Sequence, residues 1–202
     1  MTQRDRAIDL LRQRSVLRLT DFADAGVQAS TLARLVADGT LVRRARGVYE
    51  LADVAISAEH SLAEIAVRVP RSIICLVSAA TYHGITLANP GRIWFAVGIK
   101  DRMPKVTHVG VRVVRFGDKA RSLGVDDVVI DGVTVRITSP ARTIVDCFRY
   151  RRIVGLDIAM EVMRMGVRSD TARPAEIYEL AAELRIATVI RPYLEAAAAD
   201  DR

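Results

Sequence analysis

The sequence predicts an α+β protein: an N-terminal winged helix-turn-helix, then a mixed α/β domain with a small central sheet and a helical C-terminal third. Three observations predict this. Within residues 1–54, helical and strand-like patterns follow one another in the order of a winged helix-turn-helix. Extended segments cluster in the middle of the chain, and four helical patterns fill its last third. We place the two domains at 1–54 and 58–202, with a boundary between Asp53 and Glu59.

Three helices are predicted in the first forty residues, at 4–14, 20–25 and 30–39. Apolar residues in the first and third recur three or four positions apart, which aligns them on one face against a core. Ser30 is the predicted N-cap of the third helix, because its hydroxyl can accept a hydrogen bond from a free first-turn amide. Gly39 ends that helix, since glycine readily takes the left-handed conformation that follows many helices.

The third helix and the hairpin predicted after it carry side chains suited to DNA. Hydroxyl, amide and guanidinium groups near the start of the helix match the donors and acceptors of base edges in the major groove. Two strand-like runs then flank a basic tip at which Gly47 allows a tight reversal; its arginines are expected to hold phosphates or enter the minor groove. The predicted DNA-binding residues are Gln28, Ser30, Thr31, Arg34, Arg43, Arg44 and Arg46. The alternative is a protein–protein or dimerisation module with a solvated basic loop.

The charge distribution also favours a polyanionic partner. The chain has a formal charge of +6 at pH 7 and a pI of about 9.8. Residues 1–52 hold nine arginines and six acidic residues, so half of the positive excess lies in about a quarter of the chain. We therefore expect double-stranded operator DNA as a partner.

Cysteine usage and hydropathy exclude several classes of protein. Cys75 and Cys147 lie among apolar residues, and no Cys-x-x-Cys or Cys/His spacing is present, so we predict neither a metal nor a cofactor. Two isolated cysteines fit a reducing cytoplasm. The first residues alternate in charge, unlike a signal peptide, and there is no run of about 18 apolar residues to span a membrane. The sequence predicts a cytoplasmic protein without a membrane partner.

The second domain is predicted to place strands between helices. The predicted helices are 61–69, 73–85, 139–151, 154–165, 174–184 and 188–199, and the predicted strands are 93–97, 111–116, 128–130 and 133–137. The dipeptide Asp131-Gly132 between the last two strands is one of the stronger short hairpin signals. Ser139 and Pro140 start the next helix as N-cap and first helical residue.

Three stretches of the chain carry motifs at set spacings: RRARGVYEL at 43–51, CLVSAATYHGI at 75–85 and SPARTIVDCFRYRRIVGLDIAMEVM at 139–163. With these motifs the chain resembles the AbiEi-type antitoxins of bacterial toxin–antitoxin and phage-defence operons. The matching residues are Arg43, Arg46, Gly47, Tyr49, Cys75, Leu76, Ser78, Ala79, His83, Gly84, Ser139, Pro140, Thr143, Asp146, Phe148, Arg149 and Arg151. Ala80 stands in place of a leucine, and Arg142 in place of a lysine. The resemblance spans about residues 20–165.

The resemblance implies two activities in one chain. It implies a winged-helix N-domain that represses its own operon, and a C-domain that counteracts a co-encoded nucleotidyltransferase-like toxin. A ligand-responsive winged-helix regulator without a toxin partner is the alternative, and an enzyme with a winged-helix appendage is a third. A nucleotidyltransferase gene directly downstream distinguishes the antitoxin from the ligand-responsive regulator.

His83 invites a catalytic interpretation, because Ser78, Asp146 and Arg149 are polar residues of the same domain. The sequence lacks a second carboxylate near Asp146, a glycine-rich phosphate loop and a nucleotidyltransferase signature. We therefore predict no catalytic residue and no enzymatic activity. His83 precedes a helix-ending glycine, where it is expected to interact with the last carbonyls of its helix.

The helix after Ser139 is unusually rich in arginine. The residues predicted to contact a partner or DNA phosphates are Arg142, Arg149, Arg151 and Arg152. The alternative is a salt-bridged helix that packs on the sheet, in which Arg142 and Asp146 pair at i and i+4.

Overall fold

Helices and two small sheets form a mixed α+β protein. The computed structural model describes residues 1–53, 59–89, 91–104, 106 and 110–199. Within these residues the helices are α1 (Gln3–Gln13), α2 (Leu19–Asp24), α3 (Ala29–Ala37), α4 (His60–Arg68), α5 (Leu76–Tyr82), α6 (Pro140–Arg149), α7 (Arg151–Val154), α8 (Leu156–Arg168), α9 (Pro174–Glu183) and α10 (Ala187–Ala199). The strands are β1 (Val16–Arg18), β2 (Leu41–Ala45), β3 (Val48–Leu51), β4 (Ile73–Ile74), β5 (Ile93–Gly98), β6 (Val111–Phe116), β7 (Val125–Ile130) and β8 (Val133–Thr138).

The chain divides into two compact units. The first contains Met1–Pro70 and Val128–Val135, and the second contains Arg71–Asp127 and Arg136–Arg202. The sequence places the boundary between Asp53 and Glu59, and residues 54–58 of that segment lie outside the described residues. The helix α4 and residues 128–135 thus group with the N-terminal segment, whereas the sequence assigns them to the domain at 58–202.

In the first unit, α1 to α3 pack with a three-stranded antiparallel sheet of order β1-β3-β2. The buried core consists of Ala7, Leu11, Leu17, Phe22, Val27, Leu32, Leu35, Leu41 and Tyr49. Phe22 and Tyr49 meet edge to face, with ring centroids 5.9 Å apart. This apolar cluster joins all three helices to the sheet and fixes which face of α3 remains exposed.

The helices of the first unit begin and end for local reasons. Thr2 and Asp5 form a reciprocal capping box at the start of α1. The third helix begins at Ala29, one residue earlier than predicted, so Ser30 lies inside it and the prediction of Ser30 as N-cap is wrong. Gln28 is the N-cap residue and makes no side-chain capping bond. Gly39 follows the helix with φ of +77°, the conformation predicted for it.

Backbone contacts attach the remaining segments of the first unit. The Arg18 guanidinium donates a hydrogen bond from Nε to the Val67 carbonyl near the end of α4. The Ser15 amide donates to the Asp131 carbonyl over 2.9 Å. Asp131 and Gly132, which join β7 to β8, have φ of +50° and +75°, as the predicted two-residue hairpin turn requires.

The second sheet has the order β6-β5-β4-β8-β7. The central strand β4 pairs antiparallel with β5 and parallel with β8, and β5 pairs parallel with β6. The predicted helix over 73–85 is wrong in its first part, because Ile73 and Ile74 form β4 and the helix begins only at Leu76. A fully buried strand has no alternating polar residues, so apolar periodicity does not distinguish it from a buried helix.

The second unit has its core around α6. Within this helix, residues 141–148 are all buried, and α5, α8 and α9 pack against it. Ser139 is the N-cap, accepting from the Arg142 amide, and Pro140 is the first helical residue, as predicted. The helices α8 to α10 form the predicted helical C-terminal third. Over the described part of the chain, no helix has the length and apolar character needed to cross a membrane.

Candidate nucleic-acid interface

The third helix exposes a face of small side chains with one arginine. Leu32 and Leu35 face the core, and the exposed residues of the helix are Ala29, Ser30, Ala33, Arg34 and Ala37. Methyl-sized side chains bring the helix backbone close to any surface that it meets. On such a face, Ser30 and Arg34 supply the hydrogen-bonding groups, and the neighbouring Gln28 is also exposed.

Thr31 faces α1 rather than solvent. It is 5% exposed. Its hydroxyl donates to Gln3 Oε1 over 2.9 Å and accepts from Arg34 Nη2 over 3.3 Å. This burial contradicts the predicted base contact by Thr31. The residue instead connects α1 to the guanidinium of Arg34.

Gln3 was not singled out by the sequence, yet it contacts the start of α3. Its Oε1 accepts a second hydrogen bond, 3.1 Å long, from the Gln28 amide. The Gln3 side chain therefore accepts from the Gln28 amide, one of the N–H groups at the helix N-terminus that have no partner within the helix. Because Gln3 lies 25 residues from Gln28 in sequence, no local pattern indicates this contact.

The hairpin of β2 and β3 presents three arginines. It reverses at Gly47, whose φ is +73°, and an irregularity in strand pairing lies between Arg43 and Ala45. Arg43 and Arg46 are exposed, and within the described residues neither makes a hydrogen bond or an ion pair. Arg44 differs, since its Nε donates to Glu50 Oε1 over 2.5 Å and its side chain is 42% exposed.

Other arginines of the first unit are engaged within the protein. Arg4 pairs with Asp38, Arg12 with Asp9 and Arg14 with Asp21, and Arg6 donates to the Ala25 carbonyl. Arg34, Arg43 and Arg46 differ from Arg4, Arg12 and Arg14, because no described carboxylate neutralises these three guanidinium groups. Uncompensated positive charge is what a phosphate backbone attracts.

In the second unit, the most buried of the predicted arginines is Arg142, with 0% exposure. Its Nε donates to Asp146 Oδ2 over 2.9 Å, and its Nη2 donates to the Ala120 carbonyl over 2.9 Å. Its Nη1 donates to the Leu123 carbonyl, and the guanidinium lies 5.1 Å from the Phe116 ring centroid. Each of the three guanidinium nitrogens donates a hydrogen bond within the protein, and this burial contradicts the predicted contact of Arg142 with a partner.

The other arginines of this region are more accessible. Arg149 donates to Asp146 Oδ1 over 2.7 Å and has a side chain that is 23% exposed. Arg151 donates to the Phe148 carbonyl over 2.9 Å, at the end of α6. Arg152 is exposed on α7. The helix α6 is thus salt-bridged, as in the alternative interpretation of its arginines. Arg152 is the most exposed of the four arginines predicted to contact a partner.

The residues of the hypothetical catalytic set have structural partners. His83 donates from Nε2 to the Thr138 carbonyl of strand β8 over 2.7 Å. The expected contact was with the last carbonyls of its own helix. Burial lowers the pKa of His83, which favours this neutral, donating form. Ser78 accepts from the Trp94 amide over 2.9 Å. Burial also raises the pKa of Cys147 above its usual value, which keeps this thiol protonated.

Comparison with known proteins decides the family. One family model, described as a transcriptional regulator and AbiEi antitoxin, matches residues 5–52. A second, the AbiEi antitoxin C-terminal domain, matches residues 72–192. The chain belongs to the AbiEi antitoxin family. The two matched segments of this AbiEi protein contain the exposed face of α3 with the basic hairpin, and the buried helix α6, respectively.

A solved structure of similar fold supports the architecture. It is the RV2827C protein from Mycobacterium tuberculosis, which is 19% identical and has a TM-score of 0.61. The alignment covers 98% of this chain and 78% of that one. No curated protein matches this AbiEi chain. At this identity the similarity concerns the fold alone.

Proposed function

We propose that the AbiEi protein binds the operator of its own operon through a winged helix-turn-helix formed by α1 to α3 and the β2–β3 hairpin. The observation that carries the proposal is one compact unit with both parts of a DNA interface. It has an exposed small-residue face on α3, and it has arginines on α3 and the hairpin that no described carboxylate neutralises. The transcriptional regulator model matches the same segment.

Each part has a distinct role in the proposal. The third helix enters the major groove, where Arg34 contacts a guanine edge and Ser30 and Gln28 supply further polar contacts. The exposed alanines allow close approach and pack against thymine methyl groups. Arg43 and Arg46 contact phosphates or the adjacent minor groove. Binding at the operator then represses the operon.

The second unit is proposed to counteract a co-encoded nucleotidyltransferase-like toxin without catalysing a reaction. The support is the match of the AbiEi antitoxin C-terminal model to residues 72–192. The polar residues that suggest catalysis, Ser78, His83 and Asp146, each make hydrogen bonds within the protein. Arg152 and the exposed part of Arg149 are the contacts proposed for the toxin or for flanking phosphates.

Separate readouts test the two activities in the same cells. A reporter driven by the operon's promoter measures repression, and growth during expression of the neighbouring toxin gene measures antitoxicity. The triple substitution of Arg34, Arg43 and Arg46 by alanine is expected to relieve repression while growth is still rescued. Continued repression by the triple variant at equal protein level contradicts the DNA interface, and a harmless neighbouring gene contradicts the antitoxin role.

A further inference from the structure

His60 is a buried histidine with a carboxylate against each ring nitrogen. The residue is 7% exposed. Its Nδ1 lies 2.8 Å from Asp131 Oδ2, and its Nε2 lies 3.3 Å from Glu50 Oε2. Ionised carboxylates only accept hydrogen bonds, so both ring nitrogens must donate, and only the imidazolium carries a proton on both. The geometry therefore specifies a positively charged His60.

The same cluster reaches an arginine of the hairpin. Glu50 lies on β3 and is 4% exposed. One of its oxygens faces His60, and the other accepts from Arg44 on β2. Arg44 is thus the solvent-facing end of a line of alternating charges that starts at Asp131. Neither Glu50 nor His60 has a role in the proposed DNA contacts described above.

The far end of this line is held in place by the hairpin turn. Asp131 precedes Gly132, at which an added Cβ would lie only 1.9 Å from the Gln13 carbonyl oxygen. The turn is therefore seated against the end of α1, and the Ser15 amide donates to the Asp131 carbonyl. These backbone contacts position the turn that carries Asp131.

Other charges near the cluster are already paired. On α4, Arg68 donates to Glu64 over 2.8 Å, four residues away. From the start of α2, the Arg18 guanidinium donates to the Val67 carbonyl. Among the described residues, the remaining charges that face His60 are Glu50 and Asp131, with Arg44 beyond Glu50. Protonated, this set of four is electrically neutral; without the proton it carries one net negative charge.

We propose that protonated His60 positions Arg44 for contact with DNA, so that affinity for operator DNA falls when His60 loses its proton. With His60 charged, Glu50 is neutralised from inside the protein, and Arg44 is free to exchange Glu50 for a DNA phosphate. With His60 neutral, Glu50 is a buried carboxylate whose one remaining cationic partner among the described residues is Arg44. Withdrawing Arg44 then leaves an unpaired buried charge, which is strongly unfavourable. The inference rests on the proposed DNA-binding function.

The direction of the pH effect follows from the contacts. The hydrogen bond with Glu50, and then that with Asp131, raise the pKa of His60 above its ordinary value of 6.5, against the effect of burial. In the DNA complex Arg44 has left Glu50, which favours the proton on His60, so affinity is highest where His60 is protonated and falls as the pH rises through the raised pKa of the folded protein. DNA affinity is therefore expected to decrease between neutral and mildly alkaline pH.

The test measures DNA affinity of the full chain against pH. Fluorescence anisotropy with a duplex from the operon's own promoter is recorded from pH 6 to 9 at constant ionic strength. Wild type is expected to lose about fivefold to tenfold in affinity, the lower end of what coupling between two sites usually supplies. His60→Gln is expected to show no such step and to match the affinity of wild type at alkaline pH. His83→Gln, a histidine of the second unit, is the matched control and keeps the step.

Two further variants separate positioning from simple stabilisation. Arg44→Ala is expected to abolish the step, because the proton then has no DNA contact to influence. Asp131→Asn removes one carboxylate, so the step is expected at lower pH, and circular dichroism verifies folding across the range. A step that persists in Arg44→Ala or in His60→Gln overturns the inference. Wild type that binds DNA with no step overturns this inference alone, whereas absence of binding at every pH overturns the proposed function too.

Discussion

Replacing Asp146 by asparagine tests the buried charge network of the second unit. Asp146 is 0% exposed and accepts hydrogen bonds from Arg142 and Arg149. Asparagine keeps the size and one acceptor oxygen, but it leaves the fully buried Arg142 guanidinium without a counter-charge. Breaking a buried ion pair by removal of one partner costs about 3–5 kcal/mol. Because Arg149 can turn to solvent and one acceptor remains, we expect the lower end of that range.

Urea unfolding of the full chain, followed by tryptophan fluorescence, measures the effect. Trp94 is the only tryptophan of the sequence and is buried in the second unit, so its emission reports the unit that contains the network. The matched control is Glu195→Gln, which breaks the exposed i, i+4 pair with Arg191 on α10. An exposed pair contributes little, so the midpoint of the control should stay near wild type.

The double variant Arg142→Met and Asp146→Leu completes the test. Replacing both partners of a buried pair by apolar residues costs less than removing one of them. In this site the Ala120 and Leu123 carbonyls lose a donor, so we expect partial rather than full recovery of stability. A decrease for Asp146→Asn no larger than that of Glu195→Gln would refute the reasoning, since the charge of Asp146 would then contribute nothing to the fold.

Four further predictions concern the interface and His83. Arg34→Ala should cost about 1–3 kcal/mol on operator DNA and little on random duplex, as loss of a base contact does, and equal losses contradict base reading. Arg46→Ala should weaken binding to all sequences and lower the slope of log affinity against log salt by about 1. Anisotropy from low to moderate salt measures this slope, and an unchanged slope contradicts a phosphate contact. Thr31→Val removes the hydroxyl that orients Arg34, so discrimination between operator and random DNA should decrease. Loss of the hydrogen bond to Gln3 should lower stability by only about 1 kcal/mol, and unchanged discrimination means that Arg34 does not depend on the hydroxyl. Burial lowers the pKa of His83, so stability of the second unit should decrease as pH falls below 6.5. In urea unfolding monitored by Trp94, His83→Gln should flatten that decrease. An equally steep loss of stability in acid for the variant assigns the loss to other groups.

Local patterns predicted most of the helices because their causes lie within a few residues. Ser139 and Pro140 start α6 where expected, and Asp131-Gly132 forms the hairpin turn. Both signals depend only on the conformations that these residues adopt or favour. For Ile73 and Ile74 the local pattern predicts a helix, which is wrong. These two residues form strand β4 because they pair with β5 and β8, and that pairing leaves no signal in the two residues themselves.

The candidate site was predicted in composition but not in orientation. Arg34, Arg43 and Arg46 are exposed as expected, whereas Thr31 is turned inward by its hydrogen bond to Gln3, which lies 28 positions away. His60 pairs with Asp131 across 71 positions, so nothing in the sequence around it indicates a charged histidine. Contacts of this separation depend on how helices and strands pack, and that information is absent from the periodicity of any one segment.

The central claim is that the exposed face of α3 and the hairpin arginines bind operator DNA. The most direct measurement is the affinity of the full chain for a promoter duplex, compared between wild type and the triple alanine variant of Arg34, Arg43 and Arg46. Arg12→Ala, an exposed arginine of the same unit that pairs with Asp9, is the control. We predict specific binding by wild type and the control. In the triple variant the affinity should fall at least about a hundredfold at an unchanged unfolding midpoint, because a lost base contact costs about 1–3 kcal/mol and the lost phosphate contacts add to it. Equal affinity of the triple variant and wild type would contradict the account.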